Sequence, residues 1–313
     1  KTPENAFYNL MNTVKSLGGP ENVSFEYLPR EGTERETALD RVRTEIMSGG
    51  GPDMFIIACN GVGTPRLLLN SASSLFPNGL ANSSGQVGKN YMNHTTAAAI
   101  AIHKGPVYMY RGFDIAAVIS DEAQLNPDRG FLGGYHLEGL ALHLPFTAAF
   151  MKPGGWGREV TSALEQYDHM SCVWVCGEDM PQEENSITLH PTEKDQYGLP
   201  IPIVTKTDHT NDAAMRRHGL AAWRKVSEAV GATRVIDMPP YPASHNMGTN
   251  RMSANARDGV VNKWGQTHDI KNLFISDGSQ FTSSSAANPT LTIVALAVRQ
   301  AEHIANAMQR REL

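Results

Sequence analysis

Residues 54–69 read MFIIACNGVGTPRLLL, and this stretch decides the fold. Met54 to Ala58 is a continuous apolar run of the length of a strand buried on both faces, as strands of parallel sheets are. Gly61 and Gly63 supply a tight turn. Thr64 offers a cap and Pro65 a first-turn residue for a helix through Leu67, Leu68 and Leu69. Strand, glycine turn and capped helix make one α/β unit. The run Gly49-Gly50-Gly51-Pro52 separates it from residues 1–48. There a helix over Ala6–Leu17 and a strand around Val23–Leu28 are expected, with no chemistry attached to either.

Between Gly79 and Val235 the texture changes to short alternating runs, Thr95–His103, Val107–Tyr110, His169–Cys176 and Ser186–His190, parted by Gly, Pro and Asn clusters. This pattern predicts an antiparallel sheet. Asp212–Val230 carries Leu220, Trp223, Val226 and Ala229 at helical spacing and predicts an amphipathic helix beside it. The α/β texture then returns with an apolar strand at Asn272–Ser276 and a long helix, Leu291–Met308, opened by Asn288-Pro289-Thr290. The expected class is therefore α/β, with a discontinuous domain over residues 49–80 and 236–313 and an inserted antiparallel-sheet domain over 81–235. Residues 1–48 remain unassigned.

The chain has 313 residues, 41% of them hydrophobic, enough for a core and for two domains. A net charge of -5 supplies no broad basic surface, so nucleic acid is not an expected partner. Cys59, Cys172 and Cys176 form no disulfide framework and no four-ligand zinc spacing, so all three read as small buried hydrophobes and no metal is expected. No run approaches the ~18 apolar residues of a membrane span, and KTPENAFYNL does not resemble a signal peptide. A soluble protein is expected, its compartment, cytoplasmic or periplasmic, being unassigned.

The densest signal is HNMGTNRM, residues 245–252, followed by a strand ending in Asp277-Gly278 and then by Asn288-Pro289-Thr290 at a helix start. His-x-x-Gly-Thr-x-Arg-Met, Asp-Gly and Asn-Pro-Thr in this order resemble the glucose-methanol-choline (GMC) oxidoreductases, and GVGTPRLLLNS and GLANSSGQVGKNYMNH resemble that family's upstream segments. The resemblance covers most of residues 54–308 and leans toward the pyranose-oxidase-like and gluconate-dehydrogenase-like branches. It implies an incomplete FAD-binding, Rossmann-like domain with a substrate domain inserted. It also implies an enzyme that moves a hydride from a carbinol carbon of a sugar or other alcohol to flavin N5.

The resemblance makes His245 the base for the hydroxyl proton and Asn288 the hydrogen-bonding partner of the substrate oxygen. It places Asp277 and Gly278 at the FAD ribityl and pyrophosphate, and Asn288, Pro289 and Thr290 beside the flavin, where helix amides favour an anion. Asn93 and His94 fall in a segment near the flavin. Gly248, lacking a side chain, would let His245 approach a planar ring. From the residues alone, His245 reads first as a loop histidine, Asn288 as a helix cap and Arg251 as a loop anchor through a carboxylate, while Asn93-His94 are equally turn formers. The family's Gly-x-Gly-x-x-Gly segment is not found. The expectation is thus a missing N-terminal FAD-binding segment or a second chain that completes the site, the rivals being an FAD-free substrate-binding remnant and an inactive fragment.

Overall fold

The computed structural model describes residues 54–141, 149, 155–238 and 243–313. The helix and strand expected within residues 1–48 lie outside them. In chain order the described elements are β1 (Phe55–Ile57), α1 (Asn60–Asn70), β2 (Thr95–His103), β3 (Ile115–Ile119), β4 (Tyr135–Leu140), α2 (Arg158–Leu164) and β5 (Met170–Gly177). There follow β6 (Ser186–Lys194), β7 (Pro200–Thr205), α3 (Thr210–Ala229), β8 (Ala232–Asp237), β9 (Leu273–Ile275) and α4 (Thr290–Gln309).

β1 and β9 pair in parallel, Ile56 opposite Phe274, although more than two hundred residues separate them in sequence. Leu68 of α1, Val260, Val261, Leu273 and Ile275 close the core around them. β2, β3, β4, β5 and β8 form one antiparallel sheet in the order β3-β4-β5-β2-β8. An α/β part and an antiparallel sheet inserted between β1 and β9 are what the sequence predicts. The β6–β7 hairpin stands apart from the large sheet and leans on α1, where Arg66 pairs with Asp195 at 2.7 Å.

The two faces of the five-stranded sheet do different things because side chains alternate along each strand. Ala97, Ala99, Tyr135, Leu137, Val173 and Val175 pack on α3 around Met215. Gly219 lets that helix come close, since a Cβ there would lie 2.6 Å from Val175 Cγ1. Ile100, Ile102, Met170, Cys172 and Ile236 form an apolar cluster on the opposite face. Along β5 that second face continues through Trp174 to Cys176, the end nearest the chemistry described below.

Three local expectations change. The strand expected at Val107–Tyr110 is instead a single 3₁₀ turn, Met109–Arg111, because Tyr108 takes a left-handed φ of 54° that breaks extended backbone. α1 starts four residues before the expected cap at Thr64: Asn60 Oδ1 accepts from Val62 N and Gly63 N at 2.8 and 3.2 Å, so Gly61 and Gly63 are helical and Pro65 is interior. Cys59 is exposed rather than a buried hydrophobe, while Cys172 and Cys176 are buried. No helix of the described residues is long and apolar enough to cross a membrane.

Candidate active site

Proline at position 65 has a consequence for the HNMGT segment. A proline inside a helix leaves the carbonyl four residues earlier without its N–H donor. Here that carbonyl is Gly61 O, and the Thr249 hydroxyl donates to it at 2.7 Å. Gly61 is also where the segment touches α1, for a Cβ there would sit 2.5 Å from Asn246 O. Two sequence motifs far apart in the chain are thus joined by one buried hydrogen bond.

On its other side the segment pairs with residues 90–94. Met92 and Met247 exchange backbone hydrogen bonds at 2.9 and 3.0 Å. In an antiparallel register the residues two further on and two back also face each other, and these are His94 and His245. Their rings meet edge to face with centroids 4.9 Å apart. Gly248 serves this pairing. Its φ is +86°, and a Cβ there would lie 2.3 Å from Asn90 O.

His94 is buried and its Nδ1 lies 3.2 Å from Gly177 O, which can only accept, so Nδ1 carries the proton. Burial, with a smaller push from His245, lowers its pKa to about 4, against the opposing carbonyls of Gly177 and Ser285. His245 is half-buried and burial likewise holds it below the ordinary histidine value. Its Nδ1 is enclosed with no hydrogen-bond partner, leaving Nε2 as the ring nitrogen on the open side. Both imidazoles are therefore neutral near pH 7.

Cys176 brings in the last member. Its thiol donates to Asn288 Oδ1 at 3.6 Å, and burial, with a contribution from Glu138, pushes its pKa well up, so the proton stays. Because Oδ1 is taken, the Asn288 amide presents Nδ2 to the open side. Asn288 does not cap the helix: the N-cap residue of α4 is Pro289, with no side-chain cap. Ligand atoms of His94, Cys176 and His245 lie within 4.8 Å of one another. These are zinc-type donors, but the thiolate that zinc needs is opposed by the burial of Cys176.

Several other expected residues make contacts within the chain. The Asp277 carboxylate is buried and accepts from Asn60 N at 3.0 Å, Thr64 Oγ1 at 2.5 Å and Ser279 N at 2.8 Å. Burial pushes its pKa up and these donors oppose the shift. Asp277 thus joins the end of β9 to the start of α1 within the chain. Gly278 lies against Asn246 O and accepts from Gly248 N at 3.2 Å. Asn93 donates through Nδ2 to Ala243 O at 3.3 Å and through its backbone to Asp179, which pairs with Lys206. Pro289 is buried and Thr290 exposed at the start of α4. Arg251 has no ion pair among the described residues, and Glu183, the carboxylate that feels its charge, pairs with Lys89.

Sequence reading missed Cys176, taken for a plain hydrophobe, and two neighbours on its sheet face, His136 and Glu138. The available signal was alternation: His136 and Glu138 in YHLEGL, and Cys172 and Cys176 in MSCVWVCG, fall on the face opposite the α3 core.

A parallel strand pair with an antiparallel sheet inserted between its members, and a neutral histidine pair beside the Cys176–Asn288 contact, define a class: an α/β chain with an inserted antiparallel sheet. Residues 181–297 match the family model described as GMC oxidoreductase. By this match residues 181–297 belong to the GMC oxidoreductases. The chain is 38% identical over 264 residues to 2-methyl-1,2-propanediol dehydrogenase of Mycolicibacterium austroafricanum, covering 80% of this chain and 47% of that protein. It is 31% identical over 272 residues to the fructose dehydrogenase large subunit of Gluconobacter japonicus, covering 82% and 48%. Among solved structures, pyridoxine 4-oxidase from Mesorbium loti matches with a TM-score of 0.55 at 14% identity, over 80% of this chain and 51% of that one. The chain spans about half the length of the curated relatives it matches.

Proposed function

We propose that the protein containing this chain is an FAD-dependent oxidoreductase that oxidises a CH–OH group of an alcohol or sugar. The observation that carries this reading is the convergence of His245, His94, Cys176 and Asn288 at one end of the sheet. Its relatives include a diol dehydrogenase and a sugar dehydrogenase by name.

The residues present suit a flavin. His94 Nε2 and His245 Nδ1 are enclosed without partners, and α4 exposes an apolar stripe, Leu291, Val294 and Val298 at 80%, 50% and 43% exposure, which a large planar group and its surrounding protein would cover. Bound FAD supplies a hydride acceptor at N5. The chain's own residues supply the rest. His245 Nε2 takes the hydroxyl proton as the carbinol hydride leaves, so one proton and one hydride depart and the carbon becomes a carbonyl. Asn288 Nδ2 donates to the same oxygen before and after, without titrating. His94, through its ring contact, holds His245 in place. Asp277 and Gly278 set the loops at the cofactor's side, and Asn93, Pro289 and Thr290 fix the ends of the segments that bear His94 and Asn288.

Residues 49–80 and 236–313 form the flavin-side domain in this reading and 81–235 the substrate side. The rest of the FAD site then comes from further sequence, in the same or a second chain, in keeping with the half-length coverage of the relatives. The test is a visible absorption spectrum of the flavin-loaded protein under nitrogen. Bleaching on adding an alcohol or sugar supports the reading. A flavin that no such compound reduces rules it out.

A further inference from the structure

The sheet face that carries Cys176 holds two polar side chains for which the reaction above has no use. His136 stands directly opposite Cys176 on β4, and Glu138, two residues on, stands opposite Trp174. Residues two apart on a strand share a face about 7 Å apart. Tyr135 and Leu137 point the other way, into the core beneath α3. The electrostatics agree with the placement, because His94 feels His136 and Cys176 feels Glu138.

Glu138 is 4% exposed, and its Oε2 is enclosed with no hydrogen-bond partner; His136 Nδ1 is in the same condition. No Lys or Arg pairs with Glu138 among the described residues. An enclosed carboxyl without a partner costs stability, so its position is explained by a ligand that satisfies it and not by the fold. Burial pushes the Glu138 carboxyl up and the His136 imidazole down. Both groups are thereby drawn toward neutrality. A hydroxyl can donate to a carboxylate or accept from a carboxylic acid, whereas an ammonium group is served by the anion alone. Trp174, across from Glu138, adds a flat apolar face suited to C–H groups.

We infer that Glu138, with His136 beside it, binds a second, non-reacting hydroxyl of the substrate, so that the preferred substrate class is a polyhydroxylated alcohol. The inference rests on the proposed oxidation at His245 and Asn288. The reacting carbinol lies at the Cys176–Asn288 end, and the second hydroxyl reaches one residue pair further along β4.

The test uses the flavin-loaded, full-length enzyme and its Glu138→Gln variant. Flavin reduction is measured with 1-propanol, 1,2-propanediol and 2-aminoethanol, and the thermal midpoint is measured on both proteins. In the variant, the preference for the diol over 1-propanol in kcat/KM falls by about tenfold or more, as expected when a buried group that binds a hydroxyl is altered. The thermal midpoint rises, because the amide carries no charge for burial to penalise. An unchanged preference, an equal loss on all three compounds, or a larger loss on 2-aminoethanol than on the diol overturns the inference. If no alcohol reduces the wild-type flavin, the oxidoreductase reading fails separately. In that case a midpoint that is unchanged or lower in Glu138→Gln still overturns the claim that Glu138 is held unsatisfied for a ligand.

Discussion

His94 and His245 stand edge to face, 4.9 Å between ring centroids, because the Met92–Met247 bridge sets residues 94 and 245 opposite each other. A buried histidine held neutral in this way makes stability depend on pH. The folded pKa of His94 is about 4, and the unfolded value is about 6.5. The unfolded chain binds the extra proton first as pH falls, so this contribution is intact above pH 6.5 and is lost progressively down to about pH 4. The shift is worth on the order of 3 kcal/mol. His94→Asn should therefore flatten the acid side of a plot of thermal midpoint against pH. A slope between pH 4 and 6.5 that matches the wild type would assign it to other groups.

The link between Pro65 and Thr249 makes a quantitative prediction. Thr249→Val leaves Gly61 O buried without a donor and should cost about 1–3 kcal/mol in denaturant unfolding. Pro65→Ala restores a backbone N–H four residues after Gly61, so in that background Thr249→Val should cost less, by about 1 kcal/mol. Additive losses would show that the two residues do not share the carbonyl.

Much of the fold was readable in the chain because its signals are local. The apolar run of β1, the spacing in α3 and the apolar run of β9 each follow from a few neighbouring side chains. The start of α1 was misplaced because Asn60, at φ 70°, uses its side chain to cap two amides, which Gly61 and Gly63 after it obscured. For the site, the motif residues His245 and Asn288 were visible, but their partners were not. Cys176 gains its role from strand register across residues 95–177, and Glu138 from a lack of partners, neither of which is a pattern in sequence.

Asn288 and Cys176 should behave as a pair. Asn288→Ala removes the donor to the substrate oxygen and should slow flavin reduction by about tenfold, since it transfers no proton. Cys176→Ala leaves that amide in place but frees its orientation, so it should slow the same step by less than Asn288→Ala. Transient absorbance at the flavin band measures both. A Cys176→Ala variant slower than Asn288→Ala would give the thiol a role beyond orientation.

Asp277 offers a different readout. Asp277→Ala deprives Asn60 N, Thr64 Oγ1 and Ser279 N of their acceptor and should loosen the junction of α1 and β9. The expected result is a lower flavin-to-protein absorbance ratio after gel filtration, and a lower thermal midpoint by about 2 kcal/mol equivalent. Wild-type flavin content in this variant would remove Asp277 from any part in cofactor retention.

The most direct test of the account is anaerobic rapid mixing of the flavin-loaded enzyme with an alcohol substrate, comparing wild type with His245→Ala. Loss of a general base should lower the rate of flavin reduction by about 10²- to 10⁴-fold while leaving flavin content and its spectrum unchanged. In the wild type the rate should rise with pH through a value below 6.5, where His245 becomes neutral, and be level at pH 7 and above. A His245→Ala enzyme that is reduced as fast as wild type would contradict the account.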